Sequence, residues 1–262
     1  MDWSNPNHVA TFFDLHRNNP REGPGDQAST ARALAAAVKT VGADRIETVL
    51  DLACGPGMQT RHLAELLPAA RITALDIHAP FVTEVRNWID HNQLDHRVTA
   101  VQGDMRKPPV APGSIDLLWC EGAAYMLGVE AALTTWRPLL RGADLGSASN
   151  GIVAFSEPVF LRDDLPPAVI ENWAEYPPMT NLQGIAYWVA QADYNLLDSF
   201  VMPSAAWEAY YVPLQRRVVT LRDKYATDPE RLSVIEEGQQ EIDAWRNYGE
   251  YFSYAFIVAQ PA

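Results

Sequence analysis

The chain has 262 residues, 48% apolar and 20% charged, and reads as an ordinary globular protein of one large α/β domain or two small ones. With 33 acids against 20 bases the net charge is −13, so no nucleic-acid partner is expected, since phosphate binding needs a basic surface. No stretch is apolar and long enough to span a bilayer, so no membrane partner is expected either. Residues 1–28 are polar and aromatic and read as an arm plus a loop, with Gly23-Pro24-Gly25 either a lid hinge or an ordinary turn of that loop. Asp2, Asn5 and His8 stand where a signal peptide would be basic and then apolar, so a cytoplasmic location is expected. Ala31, Leu34, Ala35, Val38 and Val41 mark a helical face, with Ser29 or Thr30 as its N-cap. Strands are expected at 47–52, 71–76, 97–101, 114–119 and 152–156. Helices fall between them, at 79–92 with Phe81, Val82, Val85, Trp88 and Ile89 as the stripe, and at 129–141. Strands alternating with helices imply a parallel sheet covered on both faces.

The C-terminal part changes character. Residues 158–181 are rich in proline and acids and read as an irregular or short-helical excursion. A helix at 182–192 and a strand at 195–201 follow. Trp207, Tyr211, Leu214, Val218, Leu221 and Tyr225 then alternate by four and three, with Pro213 expected to break the run and start a second helical piece. In the next helix Leu232, Ile235, Ile242 and Trp245 form the stripe, and Glu236, Glu237, Glu241 and Asp243 the wet face. An alternating-to-apolar run from Tyr251 to Ala259 reads as a final strand. One domain is expected: an arm (1–28), a core (29–157), a cap insertion (158–194) and C-terminal helices and strands (195–262).

The densest signal is Val49-Leu50-Asp51-Leu52-Ala53-Cys54-Gly55-Pro56-Gly57, a strand running into a glycine turn, followed by a helix start at Met58. Backbone N–H groups and a helix dipole there can face a polar ligand. A dinucleotide fingerprint needs a third glycine, and that position is Thr60. Asp51, before the turn, would repel a pyrophosphate but suits an ammonium. Asp76 ends the next strand, where it can take both hydroxyls of a ribose. Asp104, in Gly103-Asp104-Met105, is placed to accept from an exocyclic amine such as that of adenine. An amino acid, a ribose and an adenine without phosphate satisfy all three acids.

These motifs, with Ala74-Leu75-Asp76-Ile77 and Ile115-Asp116-Leu117-Leu118-Trp119-Cys120-Glu121-Gly122, resemble the class I S-adenosylmethionine-dependent methyltransferases over residues 30–160. Glu121-Gly122-Ala123-Ala124-Tyr125 with Trp207-x-x-Tyr210-Tyr211 resembles a bacterial group acting on small molecules. The resemblance implies a Rossmann-like, seven-stranded, mostly parallel sheet with an antiparallel last strand, plus a helical cap. It implies S-adenosyl-L-methionine as cofactor and S-adenosyl-L-homocysteine as product. The implied cofactor residues are Asp51, Ala53, Cys54, Gly55, Gly57, Thr60, Asp76, Ile77, Asp104, Met105 and Glu121. Two departures stand out. Ala53 replaces a glycine usual in the family, and the loop 142–150 is longer than usual.

Glu121 and Tyr125 are the candidate catalytic residues, since the fourth strand leaves the sheet there, at the crevice open α/β sheets use for ligands. Glu121 can be a general base, a partner for a substrate ammonium or a plain loop acid. Asp116 reads as an edge or turn acid, and His62 and His78 as polar surface residues. Cys54 and Cys120 read as buried and reduced, and no metal site is expected. The tetrapeptide Asn/Asp-Pro-Pro-Tyr/Phe, used to methylate base nitrogens, is missing at 121–125, which disfavours DNA-adenine methylation. The expected reaction is methyl transfer to an O or N atom of a small-molecule acceptor, and a homodimer is left open. A non-catalytic module of the same fold and a nucleotide-cofactor oxidoreductase are the alternatives.

Overall fold

A computed structural model describes residues 1–143, 151–174, 176 and 178–262. The sheet is built from β1 (Thr48–Leu52), β2 (Arg71–Asp76), β3 (Val98–Gln102), β4 (Leu117–Glu121), β5 (Ile152–Phe160), β6 (Thr180–Asn181), β7 (Tyr194–Val201) and β8 (Phe252–Pro261). Its order is β3-β2-β1-β4-β5-β8-β7, with the two-residue β6 on β5. β8 is antiparallel to both β5 and β7, and every other pairing is parallel. This is the expected Rossmann-like α/β fold, with the short β6 as an eighth strand.

The strands are apolar on both faces because helices cover both faces. Val49, Leu117, Trp119, Ile152, Ala154 and Phe256 point to one side. There they meet α2 (Gln27–Val41), α3 (Met58–Leu66), α4 (Ala79–His91) and α8 (Ser204–Lys224). Leu50, Leu118, Cys120, Val153, Phe155 and Ile257 point to the other, against α5 (Val129–Trp136) and α7 (Leu182–Gln191). Each fully buried large side chain contributes roughly 1.5–3 kcal/mol relative to exposure.

Several local expectations are corrected. The arm contains a helix, α1 (Pro6–Leu15), capped by Asn5, whose side chain accepts from the Asn7 N–H. The N-cap of α2 is Asp26, whose Oδ1 accepts from the Ser29 N–H at 2.7 Å, so Ser29 and Thr30 lie inside the helix. The fourth strand begins at Leu117 and leaves Asp116 outside it. The fifth helix ends at Trp136 in a short 3-10 turn over Arg137–Leu139, because Pro138 cannot continue the ladder. The excursion at 158–181 holds the end of β5 and a short α6 (Pro167–Asn172). The loop 142–150 lies outside the described residues beyond Ala143.

Pro213 does not divide its helix: α8 runs unbroken from Ser204 to Lys224. Proline there removes one backbone hydrogen bond and crowds the preceding turn, a cost of about 3 kcal/mol. Burial of Tyr210, Tyr211, Leu214 and Val218 around it offsets that cost. Pro213→Ala is therefore expected to raise the melting temperature by several degrees, read by scanning calorimetry; an unchanged or lower value would contradict this account. The last helix, α9 (Pro229–Tyr248), packs on α8 and α1.

α1 is tied to the end of α8 through Asp14. Arg217 Nη2 (3.1 Å), Lys224 Nζ (2.5 Å) and the Tyr225 hydroxyl (2.7 Å) all donate to its carboxylate.

Candidate active site

The strand order reverses between β1 and β4, and a cleft of about 560 Å³ opens there at the C-terminal ends of the strands. Its lining includes Ala53, Cys54, Gly55, Asp76, Ile77, Asp104, Met105, Glu121 and Tyr125. The turn after β1 needs left-handed backbone at Ala53 (φ 53°), Gly55 (φ 54°) and Gly57 (φ 86°). That is why a glycine suits position 53, and an alanine there costs roughly 1–2 kcal/mol. At Gly57 a side chain is also excluded by contact, since a Cβ would come within 2.5 Å of Val85 on α4.

Asp76 holds the turn against the next strand. Its Oδ2 accepts from the Gly55 N–H at 2.8 Å and its Oδ1 from the His78 N–H at 2.8 Å. Each oxygen keeps a second lone pair, and the carboxylate lines the cleft at 7% exposure. Asp104 also lines the cleft, but Arg106 Nε donates to both its oxygens at 3.0 and 2.9 Å. These hydrogen bonds hold its carboxyl below the usual range. Met105 is fixed by its carbonyl, which accepts from Trp136 Nε1 at 3.0 Å.

Asp51, Gly57 and Thr60 are not in the cleft wall. Asp51 is fully buried behind the turn; Thr60 Oγ1 donates to its Oδ2 at 2.5 Å, and Oδ1 has no hydrogen-bond partner. Burial pushes its carboxyl up to about 8, with the nearby Glu121 adding to the shift. A direct contact between Asp51 and a ligand in the cleft is not what the geometry offers. With its carboxyl raised that far it stays protonated at neutral pH, and it serves as a neutral hydrogen-bonding brace behind the glycine turn. Thr60 gains a reason here: a glycine at that position could not bind Asp51.

Glu121 sits at the end of β4 with its side chain 5% exposed. Arg21 Nη1 donates to its Oε2 at 2.6 Å, while Thr30 Oγ1 (3.1 Å) and Trp119 Nε1 (2.9 Å) donate to Oε1. Three donors, one of them the Arg21 guanidinium, already engage both oxygens, so the general-base reading of Glu121 is weakened. Its carboxylate anchors the N-terminal arm instead. Gly25 belongs to the same arrangement: a Cβ there would lie 2.5 Å from Arg21 Nη1 and 2.8 Å from Glu121 Oε2.

Both expected surface histidines are corrected. His62 is half-buried, and its Nδ1 accepts from Arg21 Nη2 at 3.3 Å. Burial and then the Arg21 charge push it below the usual histidine range, so it is a neutral acceptor. His78 stacks on Phe13, with centroids 3.9 Å apart and planes 4° apart, and both line the cleft. Asp116 lies at the other end of β4. Its carboxylate accepts from the Thr48 N–H (2.8 Å) and Arg141 Nε (2.5 Å), a structural role that agrees with its reading as a turn acid. Cys54 and Cys120 are buried free thiols. Among the described residues no cluster of three His, Cys, Asp or Glu could hold a metal ion, and no helix is long and apolar enough to cross a membrane.

A family model described as a methyltransferase domain matches residues 49–142. Trans-aconitate 2-methyltransferase of Escherichia coli K12 is 31% identical over 218 residues, covering 82% of this chain and 66% of that protein. Malonyl-[acyl-carrier protein] O-methyltransferase of Legionella pneumophila is 34% identical over 71 residues, 27% of this chain and 24% of that protein. The chain thus spans less than two thirds of the length of these curated relatives. Residues 49–142 thus match a methyltransferase domain. A methyltransferase of Thiobacillus denitrificans, solved with S-adenosyl-L-homocysteine, shares the fold at a TM-score of 0.78 and 17% identity, over 96% of this chain and 98% of that one.

Several cleft residues carry no local sequence signal. Trp3, Phe12 and Phe13 come from the N-terminal arm, and Arg21 and Glu22 from the loop after it. Only the aromatic content of residues 1–28 hinted at them. Two buried acids also set a pH dependence. Asp51 has its folded pKa raised to about 8, and Glu157 does too, chiefly by burial. Between about pH 4 and pH 8 the folded state keeps protons that the unfolded chain has lost. Stability from both groups therefore falls as pH rises through that window and levels off above it. Asp116 is shifted the other way, so its contribution is lost as pH falls below about 4. Melting temperature without ligand is expected to decline from pH 5 to pH 8.5. Asp51→Asn is expected to flatten that limb and raise the value at pH 8.5 by about 3 °C or more. A steeper or unchanged limb in the variant would contradict the assignment.

Proposed function

We propose that the protein binds S-adenosyl-L-methionine in the cleft and transfers its methyl group to an O or N atom of a small-molecule acceptor. The observation that carries this is Asp76, a buried carboxylate pinned by two backbone N–H groups with lone pairs still facing the cleft. The surroundings suit a phosphate-free adenosine ligand. Of the nearby cations, Arg21 and Arg106 are already paired with Glu121 and Asp104. When bound, the cofactor supplies a methyl group on a sulfonium, already activated for displacement.

The chain's own part is alignment and dryness. Asp76 would hold the ribose and Met105 and Ile77 the adenine faces. Asp51 braces the turn from behind through Thr60. Trp3, Phe12, Phe13 and His78 exclude water from above. Such positioning supplies several kcal/mol without any catalytic side chain. Tyr125, its ring 4.4 Å from that of Tyr176, is placed to contact the acceptor. The relative named for trans-aconitate acts on an anion, and the cleft here has no unpaired arginine for one among its described lining residues. Titration calorimetry with S-adenosyl-L-homocysteine tests the cofactor half, and absence of binding would sink it. A release assay for that product over a panel of metabolites tests turnover.

A further inference from the structure

We propose that a side cavity beside Tyr125 is the acceptor's cation subsite, and that the acceptor carries a protonated amine seated against Glu157. The inference rests on the methyl-transfer reading and names the acceptor class. The cavity, of about 260 Å³, shares the Tyr125 wall with the main cleft. Glu157 enters it from β5, the strand beside β4. Its side chain is 3% exposed, and its Oε1 has no hydrogen-bond partner. A buried carboxylate in that state needs a cation or a donor. The described lining holds no lysine, arginine or histidine to supply one.

The rest of the wall suits the same ligand. Tyr125, Tyr176 and Trp188 present ring surface, which attracts a desolvated ammonium. The start of α5 also reaches the cavity, and its dipole alone would favour an anion. Glu130 in its first turn offsets that. Burial raises the carboxyl of Glu157 to about 8, as expected of an acid lacking its counter-charge. Binding of an amine supplies that charge.

The test uses nuclear magnetic resonance titration of the full chain loaded with S-adenosyl-L-homocysteine. The probes are benzylamine and benzyltrimethylammonium, set against phenylacetate and trans-aconitate. Both cations are expected to bind and both anions to bind at least tenfold more weakly. Glu157→Gln is expected to weaken the cations at least tenfold and leave the affinity for S-adenosyl-L-homocysteine unchanged. Met179→Trp, which fills the cavity from its rim, is expected to exclude them with Glu157 intact. Absence of cation binding, equal binding in Glu157→Gln, or preference for the carboxylates would overturn the subsite. Failure of S-adenosyl-L-homocysteine to bind would instead strike the methyl-transfer reading, and the same titration on the ligand-free chain would still decide the subsite.

Discussion

Asp76→Ala is expected to weaken S-adenosyl-L-homocysteine binding by at least about 100-fold. Hydrogen bonds to a charged group contribute about 1.5–3 kcal/mol each, and a ribose presents two hydroxyls to this carboxylate. Tenfold in affinity corresponds to about 1.4 kcal/mol, so losing both bonds exceeds two decades. The substitution also frees the Gly55 N–H, which Asp76 now holds at 2.8 Å, and so loosens the turn. Asp76→Asn keeps one acceptor and is expected to fall between. Calorimetric titration reads all three proteins. A dissociation constant within threefold of wild type for Asp76→Ala would remove the ribose role. The melting temperature should drop only a few degrees, which separates lost binding from lost folding.

Breaking the Arg21–Glu121 pair is expected to carry the largest stability cost. Both side chains are 5% exposed, so removing either partner leaves the other charge buried and uncompensated. Such losses run to about 3–5 kcal/mol. At roughly 2–4 °C per kcal/mol for a chain near this size, Arg21→Met or Glu121→Gln should lower the melting temperature by about 10 °C. The double variant Arg21→Met/Glu121→Leu should regain much of it, because a buried pair replaced by apolar groups of similar volume is often neutral. Scanning calorimetry on the four proteins gives the cycle. Additive losses in the double variant would mean that the two residues act independently.

The sheet was legible because its signal is local. The β-favouring run before Gly55, Asp76 at the end of the next strand and the alternation of strands with amphipathic helices each sit within a short window. The acids at 76 and 104 were legible because the end of a strand fixes where its side chains arrive. What could not be read depends on chain separation. Arg21 and Glu121 meet across one hundred positions, and no pattern in residues 1–28 points to that partner. Phe13 and His78 are joined only by the fold. The N-cap of α2 was misplaced because Asp26, Ser29 and Thr30 all suit a cap, and only backbone geometry selects Asp26. Pro213 was misread because local propensity favours a break, while the burial of its neighbours in α8 overrides it. Glu157 drew no notice in the sequence, since only the fold shows that β8 and the rings around it seal it from water.

The ties of Asp14 bind the roof of the cleft to the end of α8. α1 roofs the cleft through Phe12 and Phe13, and the same helix is tied to the C-terminal half of α8 through Asp14. Whatever lifts the roof to exchange the spent donor also slackens the helices beyond it. Opening of the cleft and loosening of α8 are therefore coupled through one carboxylate, so the stability of a distant helix sets how readily the roof can rise.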